Sequence, residues 1–177
     1  MRKTTVFGLF LAAVVALGCG AGSGSSDDAS GSGDGKGADA DKPAVLAKIG
    51  EPARDGKFEF TVKTVKCGVA KVGDKYLNET AQGQFCLITV NVKNIGKEPQ
   101  HFSDSSQKAF AADGTEYSTD SGAGLYANKN ADTLFNEINP GNQVTGVLVF
   151  DIPKDVKLTK LELHDSPFSG GVEVALS

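Results

Sequence analysis

Basic residues are few and scattered in this chain. Its 177 residues hold 18 Lys and Arg against 22 Asp and Glu, for a formal net charge of −4, and no cluster or stripe of Lys and Arg is visible. A protein that binds nucleic acid must neutralise phosphates with such clusters. We therefore expect no nucleic-acid partner.

Residues that carry most catalytic chemistry are also rare. The chain has two His and three Cys, and the part after position 42 contains neither Gly-x-Ser-x-Gly nor Cys-x-x-Cys. The run His164-Asp165-Ser166 has the residue types of a catalytic triad, but consecutive side chains of an extended strand point to opposite faces. We expect no enzymatic activity, no cofactor and no metal site. A weak hydrolase using a carboxylate pair stays open as an alternative, because 17 Asp and Glu fall after position 42.

The chain also lacks an apolar run long enough to cross a membrane. Its longest run, residues 6–17, covers 12 positions, whereas a spanning helix needs about 20. Arg2 and Lys3 precede the run, and the small residue Gly18 follows it. A basic start, a short apolar stretch and small residues at its end predict a secretory signal peptide over residues 1–18.

The residues that end this run resemble the bacterial lipobox. Gly18 and Cys19 match that motif, in which a peptidase cuts before the cysteine and a diacylglyceryl group is joined to its sulfur; Ala16 departs from it, because Leu is usual three residues before the cysteine. The resemblance implies lipidation of Cys19 and a membrane anchor, since two acyl chains hold firmly where one binds marginally. The alternative is an ordinary cysteine near an ordinary cleavage site.

A segment without large apolar residues follows the cysteine. Residues 20–42 contain only Gly, Ser, Ala, Asp and Lys, with five Asp and two Lys. Such a composition cannot offset the entropy of ordering itself. We predict that residues 19–42 are the lipidated cysteine and a disordered tether, with an end-to-end distance of about 25 Å.

The folded part, residues 43–177, alternates apolar and polar residues with period two. Phe58, Phe60 and Val62 show the alternation clearly, and turn signals such as Asn139-Pro140-Gly141 separate the runs. Many short strands predict an all-β, two-sheet sandwich. The more continuously apolar residues 143–150 predict a central strand covered on both faces, and residues 128–136 have room for one short helical turn.

Three segments of this part resemble a known domain. They are residues 83–94, 138–153 and 161–166, including Gly83-Gln84-Phe85-Cys86-Leu87 and Phe150-Asp151-Ile152-Pro153. They look like an immunoglobulin-like domain of unknown function that is widespread in lipoproteins of Gram-positive, high-GC bacteria and is similar in fold to a secreted immunoprotective antigen of mycobacteria. The resemblance covers about residues 48–176. It implies an immunoglobulin-like sandwich and a cell-envelope location, and it implies no established activity or site residue.

The second and third cysteines, Cys67 and Cys86, are 19 positions apart. In an exported domain two such cysteines can pair, here across residues 68–84, which we interpret as an exposed loop. The predicted disulfide would stabilise the fold by about 3 kcal/mol through the unfolded chain. The alternatives are two buried free thiols or, with less support from neighbouring residues, a metal pair.

Residues 103–129 are rich in Ser, Asp, Gly and Tyr. Loops between sandwich strands often carry binding because the scaffold holds them rigidly. Phe110, Tyr117 and Tyr126 are therefore candidate binding-loop residues. The alternative is a long connection whose aromatic residues belong to the core.

Together these features predict a non-enzymatic, lipid-anchored binding or accessory module at the extracellular face of the cytoplasmic membrane. Its partners would be the membrane, through Cys19, and a second protein of the envelope. Two hypotheses compete with this one: the carboxylate hydrolase and a purely structural envelope lipoprotein. An exposed apolar or aromatic patch near residues 103–129 favours binding, whereas a deep cleft with perturbed carboxylates favours an enzyme.

Overall fold

The computed structural model describes residues 46–128 and 136–177. The predicted signal peptide (residues 1–18), Cys19 and the predicted tether (residues 19–42) lie outside the described residues, as do residues 129–135, most of the segment for which a short helical turn is predicted. In the described part, no helix is long and apolar enough to span a membrane.

The described strands form two main sheets and one small one. The five-stranded sheet has the order β1 (Ala47–Lys48), β11 (Val172–Ala175), β10 (Leu158–Leu163), β6 (Lys108–Ala111) and β7 (Glu116–Ser118). The four-stranded sheet has the order β2 (Pro52–Asp55), β3 (Phe58–Gly73), β4 (Asn78–Asn94) and β9 (Gln143–Ile152). A small sheet pairs β5 (Gln100–His101) with β8 (Glu137–Ile138).

Neighbouring strands are antiparallel except β1 and β11, which run parallel. Two short helical elements complete the described part: a 3₁₀ turn at Asp104–Ser106 and helix α1 at Ser121–Ala127. The fold is an all-β, immunoglobulin-like two-sheet sandwich, and the sequence prediction of that class is confirmed.

The core lies between the two main sheets. Phe58, Phe60 and Val62 of β3 are buried as their alternation predicts, and the rings of Phe58, Phe60 and Phe102 have centroids 5.9–6.1 Å apart. Leu161 and Leu163 of β10 face them from the other sheet. Burial of each such side chain is favourable by about 1.5–3 kcal/mol, so this cluster stabilises the closed sandwich.

Residues 68–84 are not the exposed loop that the sequence predicts. They belong to the ends of β3 and β4, which continue as a two-stranded hairpin and turn at residues 74–77. Gln84 pairs with Ile152 at the end of β9, so beyond this point β4 pairs with β3 alone. We call residues 70–83, the part of the hairpin that extends past the four-stranded sheet, the ribbon.

Strand β9 is covered on both faces, as the sequence predicts, but it is the edge of its sheet rather than a central strand. Leu148 and Phe150 face the inter-sheet core, whereas Val149 faces α1 and the ribbon. The edge of β9 that pairs with no strand is covered by the residues on either side of α1. The Asn128 side chain donates to the Val147 carbonyl at 2.9 Å and accepts from its amide at 2.8 Å, and the Asp120 amide donates to the Val149 carbonyl.

Candidate functional site

A groove lies between the end of α1 and the outer face of the four-stranded sheet. Its volume is about 360 Å³, within the size range of small-ligand sites. The floor is apolar and the walls are mixed; the lining residues used below are Lys66, Val69, Lys71, Leu87, Tyr126 and Val147. This groove is the strongest candidate for a recognition site in the described part of the chain.

A second apolar cluster, outside the inter-sheet core, builds the groove. Its buried members are Val72, Phe85, Ala123 and Val149, and Phe85 is fully buried. Helix α1 supplies only small side chains to this cluster, Ala123 and Ala127, so the helix lies close to the sheet. Asp120 begins the helix by accepting a hydrogen bond from the Ala123 amide at 2.9 Å, which compensates an otherwise unpaired donor of the first turn.

Register shifts in β3 place the apolar side chains of this second cluster. The pairing with β4 shifts between Val62 and Thr64 and again between Lys66 and Val69. Each shift inserts one residue into β3 and reverses the face that the later side chains occupy. After the first shift Val65 packs against the inter-sheet core, as Val62 does, and after the second shift Val69 packs in the second cluster.

The rim of the groove is positively charged. Lys66 and Lys71 are exposed, and within residues 46–128 and 136–177 neither takes part in an ion pair, unlike Lys108 and Lys160, which pair with Glu116 and Glu173. Two ammonium groups beside an apolar floor suit a ligand that has an apolar body and an anionic group.

The structure does not bring the three predicted binding aromatics together. Phe110 lies in β6 and packs under the Lys160 ammonium, whose nitrogen is 4.4 Å from the ring centroid. Tyr117 lies in β7 and packs against the inter-sheet core. Tyr126 lies in α1 and lines the groove. Residues 103–128 are mostly secondary structure and not the loops that the sequence predicts, because they hold the 3₁₀ turn, two strands and α1.

The structure pairs Cys67 with Cys86 in a disulfide bond across the base of the ribbon. The pair sits in the bulge of β3, between the Lys66–Leu87 and Val69–Phe85 partners of the ladder. Cys86 is buried and Cys67 is exposed. The bond therefore links two paired strands instead of closing a loose loop.

The side chain of His164 does not meet Asp165 or Ser166. Its Nε2 atom is 2.7 Å from a carboxylate oxygen of Glu162, and its Nδ1 atom is 3.3 Å from the Ser169 hydroxyl. That hydroxyl donates to the Ser166 carbonyl, so it holds the connection between β10 and β11. Within the described residues, no group of three His, Cys, Asp or Glu is placed to hold a metal ion.

Residues 47–174 match a domain of unknown function, DUF4352. The chain belongs to this family. It is 32% identical over 114 residues to the uncharacterized protein YxkC of Bacillus subtilis (strain 168), a match that covers 60% of this chain and 63% of YxkC. The chain thus spans less than two thirds of that curated relative.

Solved structures share the sandwich of this DUF4352 domain at low sequence identity. The yjhA protein of Bacillus subtilis has a TM-score of 0.55 and 18% identity, covering 75% of this chain and 100% of that protein. The secreted protein MPT63 of Mycobacterium tuberculosis has a TM-score of 0.51 and 19% identity, covering 75% of this chain and 99% of MPT63. These similarities show the fold, and they confirm the expected likeness to a secreted mycobacterial protein at that level.

The tip of the ribbon presents two apolar side chains of the DUF4352 domain to solvent. Tyr76 is 83% exposed and Leu77 is 65% exposed. The Asp74 carboxylate accepts from the amides of Leu77 and Tyr76 at 2.8 and 2.7 Å. These hydrogen bonds, the Leu77 bond first, lower the pKa of Asp74 below its usual value. The Asp74 contacts give the tip a defined turn.

Proposed function

We propose that the chain is a non-enzymatic, lipid-anchored binding module of the cell envelope, held at the extracellular face of the cytoplasmic membrane, and that the groove is its recognition surface. The observation that carries the proposal is the apolar groove with Lys66 and Lys71 at its rim, both exposed and without an ion-pair partner among the described residues. An apolar floor with a few charged groups is typical of ligand sites.

The location is supported by three independent features. The sequence of residues 1–19 has the order of a lipoprotein signal followed by a cysteine. The Cys67–Cys86 disulfide suits an oxidising compartment outside the cytoplasm. The fold is similar to that of MPT63, described as a secreted protein.

Two carboxyl groups, those of Asp74 and Asp113, do not fit the general acid of a hydrolase. Asp74 and Asp113 both have a pKa lowered by hydrogen bonds from the backbone of their own turns, chiefly from the amides of Leu77 and Thr115 respectively. A general acid for glycoside cleavage needs the opposite, a raised pKa in a partly apolar site. Both groups are at the surface, where they stabilise turns.

Site-specific photo-crosslinking in intact cells tests the groove. A photoreactive residue at Tyr126 is expected to give one specific adduct, and the same residue at Phe168, which is 97% exposed elsewhere on the domain, is expected to give none. The paired change Lys66→Gln and Lys71→Gln should weaken the adduct at position 126. Equal labelling from both positions, or no adduct at position 126, argues against the groove as the recognition surface.

The ligand chemistry is tested with anilinonaphthalene sulfonate, which combines an apolar body with an anionic group. We expect its fluorescence to rise on binding, and we expect Tyr126→Ser and Lys66→Gln each to weaken the binding. Phe168→Ser is the matched control for loss of an exposed aromatic ring. Probe binding that neither groove change alters would show that the groove does not select such ligands.

A further inference from the structure

We infer that the tip of the ribbon is a second binding surface and that its partner is the anionic phospholipid surface of the membrane. This inference rests on the proposed envelope location, but it does not require that the groove hold a ligand. It is carried by the side chains at residues 74–77, by the charge of the hairpin that leads to them and by the position of the ribbon at one end of the domain.

The tip holds two apolar side chains in water without packing them on the domain. Tyr76 and Leu77 are among the most exposed large apolar residues described, at 83% and 65%. Their backbone is fixed: the Asp74 amide donates to the Leu77 carbonyl at 2.8 Å, and the Asn78 side chain donates to the Asp74 carbonyl at 2.9 Å. A Tyr ring with a polar end is typical of the membrane–water interface, where a neighbouring Leu can enter the acyl region.

The glycine before the tip is required for this geometry. Gly73 has φ of 100°, which favours glycine, and an added Cβ would collide with the Leu77 carbonyl oxygen. The tip is therefore a defined turn that directs Tyr76 and Leu77 outward. Because its backbone is already ordered, less conformational entropy is lost when the two side chains enter a membrane.

The hairpin that leads to the tip is a positively charged part of an acidic chain. Residues 63–83 hold four Lys against Asp74 and Glu79, a net charge of +2, whereas the whole chain has a net charge of −4. The four lysines are all exposed: Lys63, Lys66, Lys71 and Lys75. The lysines are not adjacent in the sequence, but three of them lie in the single strand β3 and the fourth lies in the turn that follows it. Of these, Lys71 and Lys75 lie in the ribbon, where Asp74 and Glu79 balance their charge, and Lys63 and Lys66 lie behind it on β3. Lysines near an apolar tip are attracted to anionic lipid headgroups.

The ribbon also reaches past the rest of its sheet. Lys71–Gly73 of β3 pairs with β4 alone, beyond the last pair of β4 with β9, and three residues of strand extend about 10 Å. Asp151 fixes the base, because its carboxylate accepts from the amides of Gln82 and Gly83 at 2.6 and 3.0 Å. The tip can therefore touch a flat surface before the rest of that sheet does.

Tryptophan fluorescence tests the contact directly, because the chain has no Trp. The mature chain carrying Cys19→Ser and Tyr76→Trp is mixed with vesicles of phosphatidylcholine and phosphatidylglycerol, or of phosphatidylcholine alone. We expect a blue shift of the emission with the anionic vesicles and a smaller shift or none with the neutral ones. Phe168→Trp is the control and is expected to show no shift, because that segment lies toward the start of β3, where Asp165 accepts from the Lys57 amide.

Sedimentation with the same vesicles measures the contribution of each group. Leu77→Ser should weaken partitioning about tenfold or more, since burial of one such side chain is favourable enough for that factor. Lys71→Gln with Lys75→Gln should weaken binding to anionic vesicles and reduce its salt dependence. Circular dichroism of each variant confirms that the sandwich is intact.

The inference fails if the Trp at position 76 shows no blue shift, if the shift is equal on neutral vesicles, or if position 168 shifts as much. A tip that instead labels an envelope protein in cells and ignores vesicles would also overturn it. None of these results bears on the groove, which is tested by crosslinking from position 126.

Discussion

At the scale of single residues, the Asn128 side chain occupies hydrogen-bonding groups at the free edge of β9. Strand β9 ends its sheet, and the unpaired backbone groups of such an edge invite pairing with another chain. The Asn128 amide bonds both the amide and the carbonyl of Val147 and also donates to the Gly124 carbonyl at 2.8 Å. The same side chain thus caps the end of α1 and makes the hydrogen bonds to Val147 that a neighbouring strand would make.

We predict that Asn128→Ala lowers the free energy of unfolding by about 1–3 kcal/mol, because it leaves buried or half-buried backbone groups without partners. Urea denaturation measures this loss. Asn91→Ala is the matched control: Asn91 donates to the exposed Thr145 hydroxyl at 3.0 Å and to the Val144 carbonyl at a longer 3.3 Å, and its loss should cost less. Equal effects of the two changes would contradict the role given to Asn128.

Asp74 gives a second prediction at this scale, on pH dependence. Its pKa is lowered in the folded chain, so its contribution to the turn is complete above the unfolded-state pKa of about 3.9 and is lost as pH falls through the lower folded value. We expect the Asp74 carboxyl to titrate below that of an unfolded Asp in an NMR titration, with the Leu77 amide signal moving in parallel. A Leu77 amide that does not follow the carboxyl would contradict the assigned hydrogen bond.

At the scale of elements, the hairpin of β3 and β4 shows how far the sequence predicts the fold. The alternation of Phe58, Phe60 and Val62 correctly predicts a half-buried strand, because one face of that segment meets the core throughout. The alternation breaks after Val62, where the first register shift puts Val65 on the core face and the second puts Val69 on the outer face. Glycines and charges then resemble a loop, although the backbone remains paired as far as Gly73.

The candidate site was only partly predictable for the same reason. Tyr126 lies in the segment predicted to bind, but its partners in the groove come from β3, β4 and β9, far away in sequence. Phe110 and Tyr117 have the same residue chemistry as Tyr126 and different surroundings. Only the pairing of strands decides which aromatic side chain borders a groove, which one packs against the core and which one packs under a lysine.

The disulfide belongs to this scale, because it fastens the hairpin at the base of the ribbon. We predict that the paired change Cys67→Ser and Cys86→Ser lowers the melting temperature by several degrees, since the bond stabilises by about 3 kcal/mol in the chain-entropy model. Differential scanning calorimetry measures the shift, and far-UV circular dichroism should stay unchanged. Two reactive thiols in the unreduced, unfolded wild-type chain would mean that the bond does not form.

At the scale of the whole molecule, negative and positive charge lie in different segments, and this separation agrees with the proposed membrane contact of the ribbon. The predicted tether carries five Asp and two Lys, which keeps it away from an anionic membrane, whereas residues 63–83, which lead to and from the ribbon tip, carry an excess of Lys. A tether of the predicted length, about 25 Å from end to end, would let the domain approach the membrane. The proposed anchor and ribbon tip would act together, because two weak contacts linked by a short chain bind more firmly than either alone.

The last prediction tests the anchor on which this arrangement depends. Cys19→Ser should release the chain from the membrane fraction into the growth medium, because it removes the sulfur that would carry the diacylglyceryl group while leaving the predicted export signal. Fractionation of cells and immunoblotting of membrane and medium measure the change. Cys67→Ser with Cys86→Ser is the control, since it removes the other two cysteines and should leave the chain with the membrane. If Cys19→Ser stays membrane-bound at low salt and a further Leu77→Ser releases it, the ribbon tip holds the domain without the lipid. If the wild type is found in the cytosol with residues 1–18 intact, the envelope location is wrong.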